Sequence, residues 1–271
     1  MQAFVIAALL SFSADTILCS TWGNRPGHFG IQINDEFEVP PFGPTAIGMG
    51  QDGKLYIDDC ENRRVQVISP EGHVKRIVYK PDDMGCFWDI TADKHGRIMG
   101  VVYTGQVDTP AFIALYDRRW VKIPLPASIS RVRGAIRLVP TEKGVFLSYF
   151  RDGKWHSSPV TGDTTALLRA AIEGVPAWNG RILKANGTLA GGTRSGEPVF
   201  FSIDGTKGIL RTATDTIAVW ELSMFVDFYD DPYVIAPDGT VYVLTTSPRE
   251  LCIIKFSHES RHNRSGKIRI K

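Results

Sequence analysis

The sequence predicts an all-β chain folded as a single β-propeller of four-stranded blades, and two periodicities carry that prediction. A turn glycine recurs at Gly53, Gly96, Gly144, Gly187 and Gly239, with gaps of 43, 48, 43 and 52 residues, each closing an apolar run and opening a β-rich one. A second turn, at Gly72, Asp117, Gly162 and Gly205, follows the first four after 19, 21, 18 and 18 residues. A unit of roughly 40 to 50 residues with hairpin turns after its first and third strands is what a propeller blade requires.

The blades can be written out in order. The first has Ala46 to Gln51, Lys54 to Asp58, Val65 to Ser69 and His73 to Tyr79. The second has Trp88 to Asp93, Arg97 to Tyr103, Ala111 to Tyr116 and Trp120 to Leu125. The third uses Ile136 to Pro140, Val145 to Phe150, Lys154 to Val160 and Thr165 to Arg169. The fourth uses Arg181 to Ala185, Thr188 to Gly191, Val199 to Ile203 and Gly208 to Thr212. The fifth uses Tyr233 to Ala236, Thr240 to Thr245, Leu251 to Phe256 and Lys267 to Lys271. These runs are rich in Val, Ile, Tyr, Phe and Thr and are bounded by Gly, Asp, Asn or Pro. Asp52-Gly53, Asn186-Gly187 and Asp238-Gly239 suit two-residue hairpins, whose twist demands positive φ.

Five complete blades can be counted. Phe29 to Ile33 and Glu36 to Val39 could form a hairpin completing a sixth, degenerate N-terminal blade or padding the closure. The division is then 1–13 as a signal peptide, 14–42 as a lead-in or closing segment, and 43–271 as the propeller.

At 271 residues, 43% hydrophobic and 22% charged, the chain can bury a core of normal size. No stretch reaches the roughly 18 apolar residues of a membrane span. With 31 basic against 29 acidic residues, the net charge of +2 gives no electrostatic reason to expect nucleic acid.

Residues 43 to 69 carry a family resemblance. Gly43-Pro44-Thr45-Ala46-Ile47, then Gln51 to Asp59, then Asn62-Arg63-Arg64-Val65-Gln66-Val67-Ile68-Ser69 resemble an NHL repeat. The preceding Trp22-Gly23, Pro26-Gly27 and Phe29-Gly30 are similar to the lead-in of bacterial secreted NHL-like proteins. The other blades keep the turns and lose the signature. The resemblance implies a propeller, of the six-bladed, TolB-like type, and leaves the activity open, because propellers host binding, scaffolding and several chemistries.

Ala3 to Leu10 is apolar and Ser11-Phe12-Ser13 supplies small residues where a signal peptidase reads, which places a cleavage near Ala14 and the protein outside the cytoplasm, secreted or periplasmic. The n-region has no Lys or Arg, so an apolar starting strand is the competing reading. In an exported chain Cys19, Cys60, Cys86 and Cys252 can pair in three ways. Cys60 and Cys86 lie at blade ends that face one another along the chain, and Cys19 and Cys252 could meet where the ring closes. Four buried thiols are the alternative.

Gly48-Met49-Gly50-Gln51-Asp52-Gly53 matches GxGxxG, but a strand follows it where a phosphate site needs a helix. The densest polar cluster runs from Asp58 to Arg64. Asp59, Asn62 and Arg64 are candidate ligand contacts there, set against a structural reading in which they satisfy the loop and one another. The basic end, Lys267, Arg269 and Lys271, reads as a charged edge strand.

Two function classes follow. The first is a non-enzymatic binding or scaffold propeller that contacts a protein or glycan partner, with Trp88, Trp178 and Trp220 as aromatic contacts and no cofactor. The second is a Ca²⁺-assisted lactonase or ester hydrolase, in which Asp89, Asp227 and Asp230 would ligate the ion and the ion would polarise an ester carbonyl. The first is preferred, because blades one, three and four offer only Thr45, Arg137 and Asn179 at the equivalent positions.

Overall fold

The computed structural model describes residues 12–33, 41–103, 110–125, 136–151, 154–160, 172–173, 189–192, 198–204, 207–211, 216–221, 233–236, 238 and 240–258. These residues form five four-stranded antiparallel sheets. The first sheet contains β2 (Ala46–Met49), β3 (Leu55–Asp59), β4 (Arg64–Ile68) and β5 (Val74–Tyr79). The second contains β6 (Phe87–Ala92), β7 (Ile98–Tyr103), β8 (Pro110–Asp117) and β9 (Arg119–Pro124). Both are simple meanders and match the predicted blades almost strand for strand. In the third, β10 (Ile136–Thr141), β11 (Gly144–Arg151) and β12 (Lys154–Pro159) stand where expected. Its fourth strand is β13 (Ile172–Glu173), and the expected Thr165 to Arg169 lies outside the described residues.

Two sheets depart from expectation. The fourth consists of β14 (Leu189–Gly192), β15 (Pro198–Asp204), β16 (Lys207–Arg211) and β17 (Thr216–Glu221). Leu189–Gly192, expected as its second strand, is therefore the first of the sheet, and Thr216–Glu221, outside the expected strands, is the last. Arg181 to Ala185 lies outside the described residues.

The fifth sheet has the order β1 (Phe12–Thr21), β20 (Glu250–His258), β19 (Val241–Thr246), β18 (Tyr233–Ile235). The strand beside β20 is thus β1 from the start of the chain, not Lys267 to Lys271, which lie outside the described residues. Antiparallel pairing runs from Phe12 opposite His258 to Thr21 opposite Glu250. A cleavage near Ala14 would leave all but the first two residues of this strand in place. After it, Phe29 and Gln32 make only isolated bridges, to Trp22 and Phe42, and 34–40 lie outside the described residues.

The turn glycines behave as their positions require. Gly53, Gly72 and Gly96 have φ of 74°, 88° and 73°, which an L side chain seldom adopts. Gly48 serves a different purpose. A Cβ there would lie 1.6 Å from the Ile90 carbonyl oxygen, so β2 and β6 approach as closely as two bare backbones allow.

The first sheet is buried on both faces, and every residue of β2, β3 and β4 is buried. One face contributes Ile47, Leu55 and Ile57 to a core shared with Val234, Leu244 and Ile253 of the fifth sheet. The other contributes Tyr56, Val65 and Val67 to a core shared with Phe87, Ile90 and Ile98 of the second. A third cluster joins Met99 and Ile113 to Leu138 and Leu147. Each fully buried aliphatic side chain is worth about 1.5–3 kcal/mol. This face-to-face stacking explains the unbroken apolar runs, since a strand covered on both sides cannot alternate.

Candidate functional site

The polar cluster from Asp58 to Arg64 is built around Asp59, the last residue of β3. Its carboxylate accepts from Arg64 Nε at 2.6 Å, Gln66 Nε2 at 3.1 Å, Asn62 Nδ2 at 3.0 and 3.1 Å, and the Gly30 amide at 2.8 Å. The tight turn between β3 and β4 allows this, with Arg63 at φ 49° and its amide donating to Cys60 O. The rest of the Arg64 guanidinium donates to the carbonyls of Asn24, Arg25 and His28 at 2.6, 2.9 and 2.8 Å. Asn62 reaches Gly23 O, and Gln66 Oε1 takes the Gly27 amide. The structure therefore brings Asp59, Asn62 and Arg64 together, and what they grip is the chain's own segment 23–30. Gln66 completes the grip and was not singled out from the sequence, where it reads as an ordinary strand residue.

Asp58 faces the opposite way into a second buried set. It accepts from Lys80 Nζ at 2.5 Å, Thr45 Oγ1 at 2.8 Å and the Phe87 amide at 2.7 Å. Burial pushes its carboxyl above the ordinary value, against the pull of Lys80. The Lys80 ammonium also lies 4.4 Å from the centre of the Phe87 ring. Next to this junction a disulfide joins Cys60 to Cys86, and a second joins Cys19 to Cys252 across the β1–β20 pair. Both pairings are those the blade ends suggested.

Asp89 lies on β6, 3% exposed. One carboxylate oxygen accepts from the Ile90 amide at 2.9 Å and the other from the Leu138 amide at 2.7 Å, which ties the first strand of the second sheet to that of the third. Trp88, half-buried, sits where the β6–β7 register shifts. Trp220 falls in β17, the last strand of its sheet, not near a blade start. Trp178, Asp227 and Asp230 lie outside the described residues. Among the described residues, Cys19, Glu250 and Cys252 are the side chains close enough to share an ion, and the two sulfurs are bonded to each other.

A cleft of about 320 Å³ opens where the turn between β2 and β3 meets the turn between β6 and β7. Asp52, Lys54, Tyr56, Arg76, Lys94 and His95 line it, with Val67, Lys75 and Gly96. Asp52 accepts from Lys54 Nζ at 2.6 Å and from the Tyr56 hydroxyl at 2.9 Å. Burial and the Asp52 charge hold the Tyr56 phenol far above its ordinary value, so it keeps its proton and donates. Arg76 donates to Gly96 O at 2.9 Å. The second turn is fixed from beneath by Asp93, which accepts from the His95 and Arg97 amides, both at 2.9 Å, and from Arg97 Nε at 2.6 Å. None of these basic residues stood out in the sequence, because Lys54, Arg76 and Lys94 each look like a solvated strand or turn residue until the hairpins pack.

No protein-family model matches the chain, and no curated protein matches it. Among solved structures it is similar to virginiamycin B lyase from Staphylococcus aureus, at 11% identity over 91% of this chain and 99% of that one, with a TM-score of 0.39. It is also similar to TolB from Acinetobacter baumannii (12%, 83% and 58%, 0.35) and to Kuenenia stuttgartiensis hydrazine synthase (12%, 84% and 67%, 0.32). At these scores the likeness bears on neither activity nor ligand.

Proposed function

We propose that this chain is a non-catalytic binding or scaffold propeller of the extracytoplasmic space, secreted or periplasmic, that contacts a protein or glycan partner. In this reading residues 1–13 direct export, β1 closes a five-bladed NHL-like ring by completing the last blade, and no cofactor is needed. The observation that supports it most is how the central carboxylates are used. Asp89 would have to be a ligand in a hydrolase, yet both of its oxygens hold backbone amides of β6 and β10, and the Asp58 and Asp59 carboxylates are held by buried cations. Asp89 and Asp58 staple neighbouring sheets and Asp59 fastens segment 23–30 to the first sheet, which is structural work. The two disulfides support the compartment, since such bridges persist where the surroundings are oxidising.

The experiment is a calorimetric titration of the oxidised protein with Ca²⁺, paired with thermal melts with and without chelator. Neither heat of binding nor a shift of the melt is expected. A stoichiometric calcium site lost in Asp89→Ala would overturn the proposal in favour of the hydrolase.

A further inference from the structure

We propose that the cleft between the β2–β3 and β6–β7 turns binds an acidic sugar, a ring-sized polyol carrying a carboxylate or phosphate. This deepens the binding-module reading and rests on it. Lys54, Lys75, Arg76 and Lys94 surround the cleft, against the single carboxylate of Asp52. Lys54 is committed to Asp52, and Arg76 spends one guanidinium nitrogen on Gly96 O. The Lys75 and Lys94 ammonium groups are both exposed at the rim, where Lys75 feels the carboxylate of the fully exposed Glu71 without a close ion pair. They are the groups an incoming oxyanion would meet, with the remaining edge of Arg76 beside them.

Asp52 narrows the ligand further. A bare anion would be repelled by it, whereas a hydroxyl could donate to it. Asp52 already accepts from the Tyr56 hydroxyl and cannot leave, because Tyr56 is buried and Lys54 holds the same oxygen. The cleft thus demands negative charge at its rim and O–H donors at its floor, which an acidic sugar combines. A volume of about 320 Å³ lies at the small end of ligand pockets, enough for a single ring.

The floor is also preorganised. Gly96, at φ 73°, leaves Asp52 Oδ2 and the Tyr56 hydroxyl each 3.7 Å from where a Cβ would stand. The Lys94 amide donates to Gln51 Oε1 at 2.8 Å, so the two turns that form the walls are joined. Little conformational freedom is left to lose on binding.

The test is calorimetric titration of the full oxidised chain with glucuronate, glucose 6-phosphate, glucose and inorganic phosphate, at about 0.02 M and about 0.2 M salt, where screening differs severalfold. One of the two acidic sugars should bind at one per chain and weaken with salt, and the better of the two identifies the oxyanion. The variant Lys75→Glu/Lys94→Glu, with an unchanged melt, should lose about tenfold or more in affinity. Glucose and inorganic phosphate should each bind at least about tenfold more weakly. Glucose binding as well as the acidic sugars, inorganic phosphate binding as well as glucose 6-phosphate, affinity unchanged in the double variant, or no saturable binding would each overturn the proposal. A calcium site would instead overturn the underlying binding-module reading, so the two failures are told apart.

Discussion

Arg64 and Asp59 meet at 2.6 Å with their side chains 1% and 0% exposed, and together they fasten segment 23–30 to the first sheet. A buried pair of this kind adds little over a well-packed apolar pair, but breaking it leaves a charge stranded out of water. Arg64→Leu should therefore cost about 3–5 kcal/mol, read from the urea midpoint. Arg64→Lys should still cost about 1.5–3 kcal/mol, because one ammonium cannot replace a fork that holds Asp59 and three carbonyls.

Gly48→Ala places a methyl 1.6 Å from Ile90 O, and a backbone atom cannot swing aside as a side-chain end can. The expected loss is about 3 kcal/mol or more. Gly53→Ala is the contrast. Its φ of 74° is unfavourable but nothing lies within 4 Å, so about 1 kcal/mol should be lost. Chemical denaturation of the two variants side by side checks the difference.

Asp93 gives the stability a pH dependence of defined sign. Burial raises its carboxyl, but the Arg97 amide, the Arg97 guanidinium and the His95 amide outweigh burial and hold it below the ordinary value of 3.8. A depressed carboxyl stabilises the fold above the unfolded value and loses that contribution as pH falls through the folded one. The stability gap between wild type and Asp93→Asn should be constant above about pH 5 and shrink below about pH 4. Denaturation curves of both proteins from neutral to acid pH measure it.

Asp89→Ala removes the acceptor for two backbone amides and should cost about 1–3 kcal/mol for each amide left buried and unpaired. The variant should melt earlier than wild type by the same interval with and without chelator.

The two disulfides should differ in access. Cys19 is exposed, whereas Cys60 is buried, so a mild reductant should open Cys19–Cys252 first, which timed alkylation and mass spectrometry would show. Its loss should also matter more, because it spans a sequence separation of 233 against 26. Chain entropy puts the ceilings at about 5.5 and about 3.5 kcal/mol.

The parts legible in the sequence are those set by local sterics. Gly53, Gly72 and Gly96 stand at positive φ because few other residues tolerate it, and they locate the first two sheets almost to the residue. What escaped was long-range. Nothing within Phe12–Thr21 announces a partner strand at Glu250–His258, and the half-polar run Ser13-Ala14-Asp15-Thr16 looks more like a processing site than a strand. In the fourth sheet the turn expected at Gly187 lies outside the described residues, and Leu189–Gly192, expected as a second strand, is the first of its sheet. The Asp59, Asn62 and Arg64 cluster was visible, but its partner, the 23–30 carbonyls, depends on a loop packing some 40 positions away. The cleft was hidden because its basic residues come from the β2–β3 turn, strand β5 and the β6–β7 turn, which only packing brings together.

β1 completes the fifth sheet by lying along β20, and the first sheet is joined to the second at Cys60. Peptide mapping of the purified protein under non-reducing conditions tests both at once. One linked peptide pair carrying Cys19 with Cys252 and another carrying Cys60 with Cys86 are expected. Cys19 joined to Cys60 or Cys86, or four free thiols in protein recovered from an oxidising compartment, would contradict this pairing.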